Sequence, residues 1–230
     1  MPDKRHKAMN PSFSVRVYDI ECTNLNADWG IMTAAGFMDL TPEWTANNED
    51  VLKRWSRTIC EQLVGDDPTP IPKKLLDECN ITIHRLDDYD LFPKDNTNDG
   101  ALVGDTFAEI ANSNILVGFY SQYFDLKFLR ARGAFHGLEF PAQFYHGDIY
   151  PAIKRLYALR RRGLINAAEM FGYGLKTPLR TQDMVDAFNV GPKGKIARDF
   201  ISLHLAYDLL TTAALYSKVW SSVELKLTRE

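Results

Sequence analysis

The sequence predicts an α/β domain built on a mixed sheet, and three observations lead there. Residues 13–21, FSVRVYDIE, alternate as a strand does. Strand-like runs crowd the first half of the chain, whereas helical spacing dominates the second. Between them, around residues 101–149, short apolar runs and helical segments take turns.

The first strand sets Phe13, Val15, Val17, Asp19 and Glu21 on one side and Arg16, Tyr18 and Ile20 on the other. GIMTAAGFMDL (30–40) reads as its antiparallel partner, and ITIHRL (81–86) as a third strand. Residues 41–79 read as a helical insertion, with Pro42 in the first turn of a helix running to about 64, a break at GDDPTPIP and a further helical turn opened by Pro72. Residues 87–100 are rich in turn formers and read as a loop.

A helix over 101–112, a buried strand over 114–119, a helix over 123–135 and a short strand over 143–149 follow. Helices are then expected at PAIKRLYALRR, at GLINAAEMFGYG, at TQDMVDAFNVG and from about Arg198 to Trp220. The resulting domain spans 13–222, between a flexible tail at 1–12 and a C-terminal tail at 223–230.

Of the 230 residues, 45% are hydrophobic and 12% aromatic, enough for a sizeable core and unlike a disordered chain. No apolar run approaches the length of a membrane span, and MPDKRHKAMNPS lacks an apolar signal core. Cys22, Cys60 and Cys79 are sparse, odd in number and without CxxC spacing. That argues against a disulfide framework and a zinc site, and makes the cytoplasm of a cell or virus-infected host the expected compartment.

Net charge is −3, yet the distribution is uneven. Residues 126–198 carry 13 Lys and Arg against five Asp and Glu, a net of +8 that leaves −11 for the rest. A basic segment beside an acidic remainder suits a protein that grips phosphates on one face and holds cations on another; it equally suits a solvated helical face.

Three motifs carry chemistry. Asp19-Ile20-Glu21 ends the first strand, where residues i and i+2 share a face about 7 Å apart. Two carboxylates on the row that begins with Val15 and Val17 need a cationic partner if buried, and hard oxygen ligands suit Mg²⁺ or Mn²⁺. By itself the triplet also fits a strand end emerging into water.

In GFYSQYFDLKFL (118–129) an apolar strand turns into a helix that begins at Asp125, with Tyr120, Tyr123 and Phe124 beside it as candidate stacking surfaces. An Asp there also serves as a helix-dipole partner. In HLAYDLLTTAALY (204–216), His204 and Asp208 stand four apart on one helical face, as a water-activating pair or as a surface pair.

Taken in order, DIECTNL, SQYFDLKFL and HLAYD resemble the three motifs of the DEDD superfamily of 3′→5′ exonucleases, which includes the proofreading exonucleases and RNase D. The resemblance covers about residues 13–220 and implies a ribonuclease H-like, mixed five-stranded sheet flanked by helices. Two departures stand out. Tyr120 occupies the place of the Asn usual in the second motif. The third motif is H-x3-D, with His204 where the Y-x3-D branch carries Tyr.

The resemblance implies two Mg²⁺ or Mn²⁺ ions held by Asp19, Glu21, Asp125 and Asp208, with Asp19 bridging them. His204 is implied as the general base, with Tyr207 as its alternative. Thr23, Asn24, Leu25, Tyr120, Phe124, Arg160 and Arg161 are the expected substrate contacts. The substrate expected is nucleic acid with a free 3′ end, single-stranded DNA first, and no membrane is involved. A catalytically idle nucleic-acid-binding or scaffold module, a structural domain with solvated acids, and the exonuclease part of a polymerase are the competing readings.

Overall fold

A computed structural model describes residues 14–40, 49–64, 70–173 and 181–228. The expected tail at 1–12, the start of the insertion helix at Pro42, most of the following break, and the cations Lys176 and Arg180 lie outside the described residues.

β1 (Val15–Cys22) is the organising strand. It pairs antiparallel with β2 (Met32–Leu40), which pairs antiparallel with β3 (Ile81–Arg85). On its other side β1 pairs parallel with β4 (Ile115–Gly118), and β4 with β5 (Tyr145–Asp148). The helices, in chain order, are α1 (Glu49–Val64), α2 (Lys73–Cys79), α3 (Gly100–Ala111), α4 (Asp125–His136), α5 (Ile149–Leu156), α6 (Leu164–Met170), α7 (Thr181–Asp186) and α8 (Pro192–Val219).

Among the described residues the sheet has six strands, in the order β3-β2-β1-β4-β5-β6, where five were expected. The sixth, β6 (Leu225–Leu227), lies in the segment read as a C-terminal tail and pairs antiparallel with β5. All three of its residues are exposed, so it lacks the apolar alternation that marks a half-buried strand, and backbone pairing alone defines it.

Alternation along β1 sorts its side chains into two cores. Val15 and Val17 join Met38, Ile115 and Val117 beneath a layer made by α1, α5, α6 and α8. Tyr18 and Ile20 join Phe37, Leu102, Phe107, Leu129 and Phe144 under α3 and α4. Because Asp19 and Glu21 continue the Val15–Val17 row, they meet α8.

Contact with α8 depends on small residues in β2. Gly36 pairs with Asp19 across the ladder, and a Cβ on it would lie 2.8 Å from Leu209 Cδ1 and 3.0 Å from Leu205 Cγ. The ladder slips between Glu21 and Cys22, whose partners are Ala34 and Met32. The intervening Thr33 donates its hydroxyl to Glu21 O at 3.1 Å, a bulge that re-aims the strand end at the acid.

Three helix bounds differ from the sequence expectation. α8 begins at Pro192, six residues before Arg198, with proline at its first turn and Gly191 just outside. Gly194 permits this start, since a Cβ there would collide with Asn189 O. α7 stops at Asp186, where Arg198 Nη1 donates to Ala187 O (2.7 Å) and Asn189 O (2.8 Å) beyond its end. α5 ends at Leu156 because Tyr157 is extended, so Arg160–Arg162 lie outside any helix.

Candidate metal and nucleic-acid site

The parallel strands β1, β4 and β5 all end at one edge of the sheet, where a crevice outside carboxyl ends is the usual ligand site of an open α/β fold. Three elements deliver acids there. β1 brings Asp19 and Glu21. The turn after β4 brings Asp125 at the first position of α4, and α8 brings His204 and Asp208 across the sheet.

His204 Nε2 lies 3.7 Å from Glu21 Oε1 and 3.5 Å from Asp208 Oδ2. One donor atom from each of Glu21, His204 and Asp208 falls within 4.8 Å of the other two. Asp19 and Asp125 lie close enough for each to act on the other's ionisation.

The electrostatics are those of crowded acids. Burial and the charge of Asp208 push Asp19 up to about 8, and burial pushes Asp208 up to about 7. Glu21 is held well above its ordinary value by burial and then by Asp19, Asp208 and Asp125, and Asp125 by burial and then Asp19. Burial lowers His204 to about 4, which keeps the imidazole neutral near pH 7.

These residues fit a hard divalent cation. Oδ1 of Asp125 and Oδ1 of Asp208 are both buried without a hydrogen-bond partner, an arrangement that is costly without a cation to face. Tyr207 turns away from the acids. It is fully buried in the α8 layer, bonded to Cys60 and, at 3.5 Å, to Tyr173 O.

The loop after β1 lies beside the acids. Thr23 closes it, since its N donates to Ile31 O and its Oγ1 accepts from Ile31 N, each at 3.0 Å. Asn24 Oδ1 accepts from Asn26 N at 2.9 Å, and Leu25 projects into solvent, 76% exposed. The loop is pinned from behind by Asp99, which is wholly buried. It accepts from Arg132 Nε (3.0 Å) and Met32 N (2.7 Å) and contacts His136 at 2.6 Å, while Arg132 also reaches Ala27 O.

The fold is similar to part of a DNA polymerase. One match is to the family B DNA polymerase from the hyperthermophilic archaeon Pyrobaculum calidifontis, with a TM-score of 0.61 and 12% identity over 93% of this chain. This chain spans about a quarter of the polymerase's length, 25% of that chain. No protein-family model and no curated protein matches the sequence.

The remaining expected contacts divide. Tyr120 stands open at the same sheet edge, 46% exposed, with φ of +62°. A left-handed backbone at a bulky residue costs on the order of 1–3 kcal/mol and needs surrounding structure to hold it. Asp148 provides that hold, with Oδ1 accepting from Tyr120 N and Tyr150 N and Oδ2 from Gln122 N, at 2.9, 2.9 and 3.0 Å. Phe124 packs on Phe128 against the α3–α4 core and is only partly open.

Arg160 and Arg161 lie exposed between α5 and α6. The cations that line a pocket beside Tyr120 are Lys154 and Arg155. The sequence reading placed its substrate cations at Arg160 and Arg161 and did not single out Asp148 or Tyr150. The Asp before a helical run was the available signal, since an N-cap is what Asp148 also is. Among the described residues, no helix is long and apolar enough to cross a membrane.

Proposed function

We propose that the chain is a divalent-metal-dependent phosphodiester hydrolase that acts as a 3′→5′ exonuclease on single-stranded nucleic acid, DNA first. The observation that carries this is the meeting of Asp19, Glu21, Asp125 and Asp208 from three distant parts of the sequence, with two buried oxygens unpartnered. The DEDD-like order of the three motifs and the likeness in fold to part of a DNA polymerase support it.

In this reading the four carboxylates hold two Mg²⁺ or Mn²⁺ ions. When bound, such ions neutralise charge on the scissile phosphate and lower the pKa of an attacking water. His204, neutral and facing Glu21 and Asp208, accepts the proton of that water at Nε2. Thr23, Asn24 and exposed Leu25 receive the terminal nucleotide, Thr23 through its hydroxyl proton and Leu25 against the base.

The test is a time course on 5′-labelled and 3′-labelled single-stranded DNA and RNA, with Mg²⁺, Mn²⁺ or EDTA. A ladder shortening from the 3′ end, dependent on metal and lost in Asp208→Ala, is expected. Intact substrate under every metal condition would overturn the proposal in favour of an idle binding module.

A further inference from the structure

Two β–α turns, after β4 and after β5, lie side by side because those strands pair in parallel. Tyr120 and Tyr123 come from the first, and Tyr150 from the first turn of α5 at the second. The rings of Tyr120 and Tyr123 stack with centroids 5.0 Å apart at 27°, and Tyr150 meets Tyr120 edge-on at 4.9 Å and 82°. Together with Pro151, Lys154 and Arg155 they line an open pocket of about 550 Å³.

This cluster is built to stay exposed. Tyr123, like Tyr120, is 46% exposed. A surface aromatic pair ordinarily folds down onto apolar neighbours, but here the buried carboxylate of Asp148 grips the backbone of both turns and fixes the positive φ of Tyr120. Arg155 is steadied in turn by Ser222 O at 2.6 Å. Lys154 stands one residue away on α5 with its side chain exposed.

We propose that Tyr120, Tyr123, Tyr150, Lys154 and Arg155 form a subsite for single-stranded nucleic acid, separate from the four-acid centre. A nucleobase stacks on the Tyr120–Tyr123 pair, and the two cations hold the adjoining phosphates. Aromatic faces accept any base, and exposed cations beside them track a backbone. The position favours this occupant, since β4 and then β5 succeed β1 at spacings of about 4.8 Å, so a strand running from the acids along the sheet edge passes over the pocket. The inference deepens the hydrolase reading and rests on it only for the choice of polymer.

The test separates the two. Fluorescence anisotropy with labelled dT15 and rU15 in EDTA reads binding without cleavage, for the full chain and for Tyr123→Ala, Tyr123→Phe and Lys154→Ala. Tyr123→Ala should weaken binding roughly 5- to 150-fold and Tyr123→Phe should restore most of it. Lys154→Ala should reduce the slope of log affinity against log salt by about 0.7. Whichever of dT15 and rU15 binds more tightly identifies the sugar.

Hydrolysis is read separately, by the metal-dependent time course on labelled strands. Lost binding in a Tyr123→Ala protein of unchanged melting temperature supports the subsite even if no hydrolysis is found, a result that would remove only the hydrolase reading. Wild-type binding that Tyr123→Ala and Lys154→Ala both leave unaltered, or no binding of either polymer at low salt, would overturn the subsite whatever the hydrolysis assay reads.

Discussion

Gly36 stands directly across the β1–β2 ladder from Asp19, and the space its missing side chain leaves is filled by Leu205 and Leu209 of α8. Asp208 is the chain neighbour of Leu209, so the depth to which α8 settles on β2 sets how near Asp208 comes to Asp19. A glycine in the middle of a strand weakens the strand, and here that weakness allows a close helix approach.

Gly36→Val is therefore expected to force α8 outward. Overpacking at such a contact costs about 1–3 kcal/mol, readable as a lower urea midpoint. Affinity for Mn²⁺, measured by calorimetry, should fall at least roughly tenfold, since about 1.4 kcal/mol corresponds to that factor. A variant that keeps wild-type metal affinity would show that the depth of α8 does not set the site.

Metal and protons should compete in a predictable direction. Burial and crowding push Asp19 up to about 8 and Asp208 up to about 7, while His204 and His146, lowered to about 4, offset this only below their ordinary value of 6.5, so between about pH 6.5 and 8 the folded state binds more protons than the unfolded state. Stability without metal should therefore fall as pH rises through that window. Thermal melts in EDTA at pH 6.5 and pH 8 should show the lower midpoint at pH 8, and 5 mM Mn²⁺ should raise it more at pH 8 than at pH 6.5.

Neutralising one acid without changing its shape gives the converse. Asp208→Asn removes a charge from a crowded, partly buried cluster, so the metal-free protein should melt several degrees higher than wild type at pH 8, while the shift on adding Mn²⁺ disappears. A melting point below wild type in EDTA would contradict the mutual repulsion of these acids.

His204 and Tyr207 make distinguishable predictions. His204→Ala should slow metal-dependent hydrolysis by about 10²- to 10⁴-fold, the usual range for a proton-transfer group. Tyr207→Phe should leave turnover within a few-fold and lower stability by about 1 kcal/mol, because its hydroxyl is spent inside the α8 layer. Equal losses in both would contradict the orientation of Tyr207.

Asp99→Ala should be among the most damaging single changes. It strands the buried Arg132 and frees Met32 N and His136 at once, and removing one partner of a buried pair costs about 3–5 kcal/mol. Urea denaturation measures it. Because Arg132 also holds Ala27 O, the loop carrying Leu25 should become more susceptible to limited proteolysis.

Much of this architecture is written locally. The alternation of VRVYDIE, the apolar run of β2 and the Gly137 stop after α4 are each short-range patterns, and the structure has strands and a helix there, with Gly137 left-handed at φ +68°. The acids of β1 stood out because they continue an apolar row.

What was illegible depends on pairing or on sites formed by distant segments. β6 is three exposed residues whose partner, β5, lies some eighty positions earlier, so no local pattern marks it. Tyr123 and Tyr150 meet only through the β4–β5 pairing, and their spacing in the chain carries no sign of it. Pro192 offered a local sign of where α8 begins, which the expected start near Arg198 left unused.

The acids at the sheet edge have a temporal consequence. Asp19 and Glu21 are early in translation, Asp125 midway and Asp208 late, and the last arrives only when α8 has settled against Gly36. A nascent or partly unravelled molecule has its acids scattered in water, with no cage for an ion. On the proposed reading, cutting is thus withheld until α8 has closed on β2, and an incompletely folded copy fails silent rather than degrading the polymers around it.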